Sequence, residues 1–301
     1  MNKFFKKLSF FFIGLIFLFC LFKIRYLIKI NNLYPKFNTN VVAKNDGPLF
    51  IWGDSQTYKG LDLEVLKSEI NRIVFSSAHE GGGVYDFIIF TEMVPQSSDV
   101  LIAISKPVQI RPKQLDANSS GISYSALRLL YNNNYSIEEL LKIFRNNLLK
   151  IPNHIFSKNN TKYDAKDEFN INPEHFSLLE KLFETFKPYI SDKQNLYIAG
   201  IKLLKQKNCN INLIEFPIHQ SIYNRVKDSP VSVKTDSFSE EIIKIANCAS
   251  KDTLYLNDSK NFYFDLTHLN EHGASKVTNF IGDRLEVGVP RAFTILNAVV
   301  D

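Results

Sequence analysis

Short apolar runs that alternate with helical spacing constrain this chain more than any other feature. Strand-length runs lie at Leu49–Trp52, 72–76, 100–104, 211–216 and 253–256. Between them, Leu63, Leu66 and Ile70 repeat at helical spacing behind a cap at Asp62. Residues 85–93 predict a second helix, and Phe176, Leu179, Leu182, Phe183 and Phe186 a third. Ile242, Ile243 and Ile245 mark part of another. Ala274, Val277, Ile281 and Leu285 mark the last, capped by Asn270. Strand alternating with helix predicts an α/β fold with a mostly parallel, five-stranded sheet covered on both faces. Sites in such sheets gather beyond the carboxyl ends of the strands.

Residues 106–172 break the alternation. Ser136 caps a good helix over 136–149, with Glu138 and Glu139 near its start, and polar segments surround it. This region reads as an insertion or cap around 106–172 within a domain spanning 47–287. The tail, 288–301, lacks helical spacing and stays unassigned.

Two short blocks carry chemistry. Gly53-Asp54-Ser55 closes the first apolar run, and Asp265-Leu266-Thr267-His268 precedes the last helical pattern. A hydroxyl nucleophile, an imidazole base and a carboxylate that orients it are the parts of acyl transfer. Ser55 is the candidate nucleophile, His268 the base and Asp265 its orienting partner. Each block alone is a common turn or helix-entry pattern, so the combination carries the reading. His272 reads better as helix surface, and Asp54 as a positioning carboxylate rather than a base. His219, in Phe216-Pro217-Ile218-His219, could contact substrate but reads better as a surface loop histidine.

Together the blocks resemble those of the SGNH (GDSL-like) hydrolase and acyltransferase superfamily over roughly residues 48–285. The wording of 53–62 and 265–274 looks most like its membrane-anchored branch of D-alanyl-transfer (DltD-like) and polysaccharide acyl-modifying proteins. The resemblance implies a flavodoxin-like three-layer sandwich and an esterase or O-acyltransferase acting on acyl groups of cell-envelope glycans. It also implies a glycan or acyl-donor substrate and a membrane acyltransferase as a partner. Its oxyanion donors would be the Ser55 N–H, a glycine after the second strand (Gly82, with Gly81 and Gly83 close rivals) and a residue after the third. There the family has Gly-x-Asn-Asp. This chain has Ile104-Ser105-Lys106-Pro107, which leaves Ser105 as the substitute and Asn118 as a distant one. The alternative is a non-catalytic SGNH-fold component of envelope polysaccharide modification.

Leu8 to Phe22 is almost unbroken apolar sequence between Lys6-Lys7 and Lys23. A spanning helix needs about 20 such residues. Phe4, Phe5, Ile24, Leu27 and Ile28 extend the run, and flanking lysines can snorkel. No small-x-small site follows it, so residues 1–30 read as an uncleaved transmembrane anchor that binds the lipid bilayer, with 31–46 a connector. The rival is a cleaved signal peptide. Bases flank both sides, so charge does not orient the helix. The resemblance places the globular domain outside the cytoplasm on a single pass.

The net charge of +5 belongs to the anchor: seven of 36 basic residues and no acid lie in 1–36, leaving 29 against 31 acidic residues. No basic block remains for nucleic acid. No Cys/His set has metal-ligand spacing, and no cofactor or metal is expected. Cys209 and Cys248 read as unpaired thiols, with a disulfide as the alternative.

Overall fold

A computed structural model describes residues 47–113, 124–147, 172–185, 187–256 and 262–297, with Ile13, Gly14 and Phe17 beside them. The chain divides after Gly47 into two units, and the second carries the fold. The expected anchor and connector otherwise lie outside the described residues. Among the described residues no helix is long and apolar enough to cross a membrane.

The strands are β1 (Leu49–Trp52), β2 (Val74–Ser76), β3 (Asp99–Ala103), β4 (Asn210–Glu215), β5 (Ser250–Leu256) and β6 (Arg291–Asn297). They form one sheet in the order β2-β1-β3-β4-β6-β5, each neighbouring pair parallel. The expected five strands are therefore six. The sixth comes from the unassigned tail and inserts between β4 and β5, so the sheet domain runs past residue 287. Its run Ala292-Phe293-Thr294-Ile295 is strand-like, but only pairing on both edges reveals its place.

Helices α1 (Ser55–Gly60), α2 (Leu63–Ile70), α3 (Val84–Met93) and α4 (Lys106–Ile110) follow the first three strands. Then come α5 (Tyr124–Asn132), α6 (Ile137–Asn147), α7 (Pro173–Glu184), α8 (Tyr189–Gln206), α9 (Gln220–Val226), α10 (Pro230–Ala246) and α11 (Glu271–Gly282). Local caps agree with the sequence. Asp62 accepts from the N–H groups of Glu64 and Val65, and Asn270 accepts from Gly273. Ser136 and Glu139 exchange reciprocal capping bonds at the start of α6. α8, the longest, was not legible as apolar spacing: its polar positions include Lys193, which is fully buried.

β1 shows why the sheet needs helices on two sides. All four of its residues are buried, and period-two geometry sends neighbours to opposite faces. Leu49 and Ile51 join Leu66 of α2 and Val277 and Ile281 of α11 in one core. Trp52 packs instead on Phe87 of α3 and Tyr197 of α8, with centroids at 4.6 and 5.7 Å, and Tyr197 meets Phe238 of α10. β5 is an edge strand whose burial alternates along its length.

At the amino ends of the strands, Asp99 is a structural hub. Its carboxylate binds buried Arg72 at 2.5 Å, Asn210 at 2.9 Å and the Gly288 N–H. The carboxyl ends are left for the site. The chain passes from β1 outward to β2 and then back across to β3. That reversal makes a topological switch point at the carboxyl ends of β1 and β3, the place where sites gather in such sheets, and Ser55 and Ser105 follow those ends.

Of the expected insertion, residues 106–113 hold α4 and Arg111 beside the loop after β2, while α5 packs on a flank. α5 lies on α3, with Ser125 hydrogen-bonded to Glu92 near the end of α3 remote from Gly83. Lys113 ties this region to the Asn134 carbonyl and to Asp192. Asn118 and the polar segment 157–171 lie outside the described residues.

Candidate active site

Asp54 caps α1 by accepting from the Gln56 N–H, and so places Ser55 in the first helical turn. Its other carboxylate oxygen accepts the Ser105 hydroxyl at 2.6 Å. Asp54 is buried and fully used in this joint, which makes it a positioning residue. The Ser55 N–H belongs to the first turn, where intrahelical bonding leaves donors unpaired.

The second block is a compact loop before α11. The Asp265 Oδ1 accepts from the N–H groups of Thr267 and His268 at 2.7 and 2.8 Å. That local turn fixes the carboxylate, whose Oδ2 lies 2.7 Å from His268 Nδ1. The Nδ1 proton therefore faces the carboxylate, and Nε2 is left as an acceptor. It meets Ser55 Oγ at 2.8 Å. The structure thus brings together three residues read from opposite ends of the sequence, in the order hydroxyl, imidazole, carboxylate. Burial works against charge on Asp265, but the His268 hydrogen bond and charge, with the two backbone donors, outweigh it. The carboxyl is held well below the usual range.

Two side chains that sequence reading missed hold these blocks in register. Gln56, buried beside Ser55, donates from Nε2 to the Thr267 carbonyl at 2.9 Å and the Pro217 carbonyl at 3.2 Å. One amide so ties the nucleophile helix to the loops after β4 and β5. Asn297, the last residue of β6, donates to the Ile218 carbonyl and accepts from the Tyr263 hydroxyl. The unassigned tail therefore buttresses the base loop. No local signal marks either residue, because every partner is distant in sequence.

The other histidines separate cleanly. His219 is buried. Its backbone N–H donates to the Leu266 carbonyl at 2.8 Å, and its ring meets Tyr263 edge-on. Burial lowers its pKa and so favours the neutral ring. It fastens the Asp265 loop through its backbone. His272 is exposed and stacks on Phe262.

Two of the expected oxyanion donors are engaged inside the protein in this conformation. The Gly82 N–H donates to the His79 carbonyl at 3.1 Å, and the Gly83 N–H to Asp86 Oδ2 at 3.1 Å. The Ser105 hydroxyl donates to Asp54 and accepts from the Val108 N–H as the cap of α4. Neither Gly82 nor Ser105 presents a spare proton in this conformation, and the Ser55 N–H is the member of the expected set that remains. Gly82 has another role. A Cβ there would lie 2.9 Å from the Gly53 carbonyl oxygen, so glycine lets the loop rest on the nucleophile turn.

Lys106, next to Ser105, points its ammonium at Glu215 and Asp236 at 3.6 and 2.5 Å. Burial opposes its charge, but the two carboxylates outweigh it and raise its pKa. Cys209 and Cys248 are separate thiols, each near a different backbone carbonyl.

The arrangement suits nucleophilic acyl chemistry: a hydroxyl with its proton acceptor in contact and that acceptor's tautomer fixed. No protein-family model matches this chain, and no curated protein matches it either.

Proposed function

We propose that this chain is an SGNH-type serine esterase or O-acyltransferase acting on acyl groups of cell-envelope glycans. The observation that carries the reading is the pair of contacts at His268, 2.8 Å to Ser55 Oγ and 2.7 Å to Asp265. Support for the SGNH assignment is the position of Ser55 just after β1 and of Asp265-x-x-His268 just before α11, within an α/β fold whose parallel six-stranded sheet agrees with the flavodoxin-like sandwich of that superfamily. The finer substrate, the anchor at 4–28 and an extracytoplasmic domain rest on the resemblance and on the apolar N-terminus.

Ser55 Oγ attacks the acyl carbonyl carbon while its proton passes to His268 Nε2. The carbonyl electrons move to oxygen, beside the Ser55 N–H. Collapse expels the alkoxide, which takes the proton from His268 and leaves an acyl-Ser55 ester. Water or an acceptor hydroxyl then attacks that ester, again giving its proton to His268, and collapse breaks the Ser55 Oγ–acyl bond as Ser55 takes that proton back and the acid or new ester leaves. Asp265 holds the imidazole and stabilises its charged form.

A fluorophosphonate probe on the purified domain tests the nucleophile. Wild type should label at one site, and Ser55→Ala should not. Label that persists in Ser55→Ala would remove the assignment. Release of acid from acylated glycans, compared between the two proteins, then separates hydrolysis from transfer.

One observation favours a second reading, a non-catalytic binding component. Gly82 and Ser105, the other expected oxyanion donors, spend their protons inside the protein. A folded wild type whose Ser55 resists the probe would support it.

A further inference from the structure

The loop after β2 is held more tightly than a surface turn requires. Its Gly81 and Gly82 carbonyls both accept from Nη2 of Arg111, the first at 3.0 Å. The N–H groups of the same two peptides are also taken, by the His79 carbonyl and by Asp86. Each peptide plane is therefore fixed at both its oxygen and its hydrogen. Gly81 sits at φ +74°, a conformation that glycine adopts without strain.

This fixed loop is seated on the nucleophile turn. The His79 N–H reaches the Gly53 carbonyl at 3.4 Å, and Gly82 has no room for a side chain against Gly53 and Asp54. Lys59, one helical turn beyond Ser55, pairs with Glu80 of the loop at 3.4 Å. Burial disfavours charge on His79, but Asp86 and the Ser77 carbonyl outweigh it and raise its pKa.

Arg111 is itself anchored from the far side. Its N–H donates to the Pro107 carbonyl, which closes the end of α4, and its own carbonyl accepts from Lys193 at 2.6 Å. The Lys193 ammonium also holds the Val108 carbonyl, and its side chain is fully buried. A chain of contacts thus runs from α8 through α4 to the wall beside Ser55.

We infer that Arg111 is a positioning residue for the Ser55 site, fixing the glycine loop against the nucleophile turn. This rests on the acyl-transfer reading. The two N–H bonds of Nη2 are held in the guanidinium plane and aim at both carbonyls, whereas a lysine ammonium, which can also serve two carbonyls, would reach them only as a freely rotating head. Loss of Arg111 leaves two carbonyls without their donor and lets the loop shift. A displacement of about 1 Å beside a reacting centre costs up to about 100-fold in rate.

The test compares wild type, Arg111→Lys and Arg111→Met in two measurements. The first is the rate of Ser55 labelling by a fluorophosphonate probe. The second is amide hydrogen exchange over residues 79–84, which does not depend on activity. Arg111→Met should slow labelling on the order of 10- to 100-fold, with Arg111→Lys in between. Exchange over 79–84 should quicken while β3 keeps its protection. Millimolar guanidinium ion should restore part of the labelling rate of Arg111→Met. Unchanged exchange in 79–84, or wild-type labelling in folded Arg111→Met, would overturn the inference. If Arg111→Met does not fold, Arg111→Lys decides by the same two readings. A wild type that exchanges as expected but does not label refutes the acyl-transfer reading and leaves the loop contact standing, while withdrawing its role in a reaction.

Discussion

Replacing Gln56 by leucine should damage both the stability and the reactivity of Ser55. Leucine is close in size and lacks the amide, so the change removes hydrogen bonds with little change in volume. The two that Nε2 donates are lost, to the Thr267 carbonyl at 2.9 Å and the Pro217 carbonyl at 3.2 Å, with the long contact at 3.5 Å that Oε1 accepts from the Ser105 hydroxyl, whose main acceptor is Asp54. An intramolecular hydrogen bond contributes about 1 kcal/mol net, and a buried acceptor left unpaired costs about 1–3 kcal/mol. The Thr267 bond is buried and the Pro217 bond only partly so, since water can reach the latter. The total is therefore about 2–4 kcal/mol, which for a domain of this size lowers the melting temperature by roughly 4–16 °C. The kinetic effect follows from the same geometry. Thr267 adjoins His268, so releasing its carbonyl frees the base from the nucleophile helix. A shift of about 1 Å at that contact would slow probe labelling by about 100-fold. Thermal unfolding and labelling rates, measured on one preparation, check the two parts. Unchanged melting would refute the energetic argument. Lower melting with an unchanged labelling rate would show that Gln56 stabilises the fold without setting the Ser55–His268 contact.

Asp265→Asn should reduce Ser55-dependent activity by roughly three to four orders of magnitude, because it permits the wrong imidazole tautomer. The folded-state pKa of Asp265 is depressed, so its contribution to stability is present above the unfolded value of about 4 and is lost as pH falls through the folded value. The stability gap between wild type and Asp265→Asn, followed by denaturant midpoint, should therefore narrow below about pH 4; a gap that widened there would refute the assignment. Gly82→Ala should slow labelling and loosen the loop at 79–83, because the new Cβ meets the Gly53 backbone oxygen at 2.9 Å rather than a movable side chain. Wild-type labelling in that variant would show that the loop can withdraw at no cost to Ser55.

What could be read in advance follows from how local each feature is. Asp54, Asp62, Ser136 and Asn270 cap helices two or three residues ahead of them, and their residue types carry that information. The Asp265–His268 contact spans three residues and is equally local. β1 was legible because burial on both faces leaves an unbroken apolar run. β6 has a similar run, but its position between β4 and β5 depends on two partners that no local pattern specifies. The site itself depends on longer contacts still. Ser55 meets His268 across 213 residues, and Gln56 meets Thr267 across 211. What the expected oxyanion donors are bonded to depends on such contacts as well. A glycine or serine at the right place in the chain identifies a donor group, but which acceptor takes its proton is decided in three dimensions. Gly82 gives its proton to His79, and Ser105 gives its own to Asp54. Both bonds hold parts of the site together, so the expected residues serve the nucleophile as supports. The loop at 79–83 rests on the Gly53–Asp54 backbone that leads into Ser55. That is why the seating of this loop, and with it Arg111, bears on the reaction.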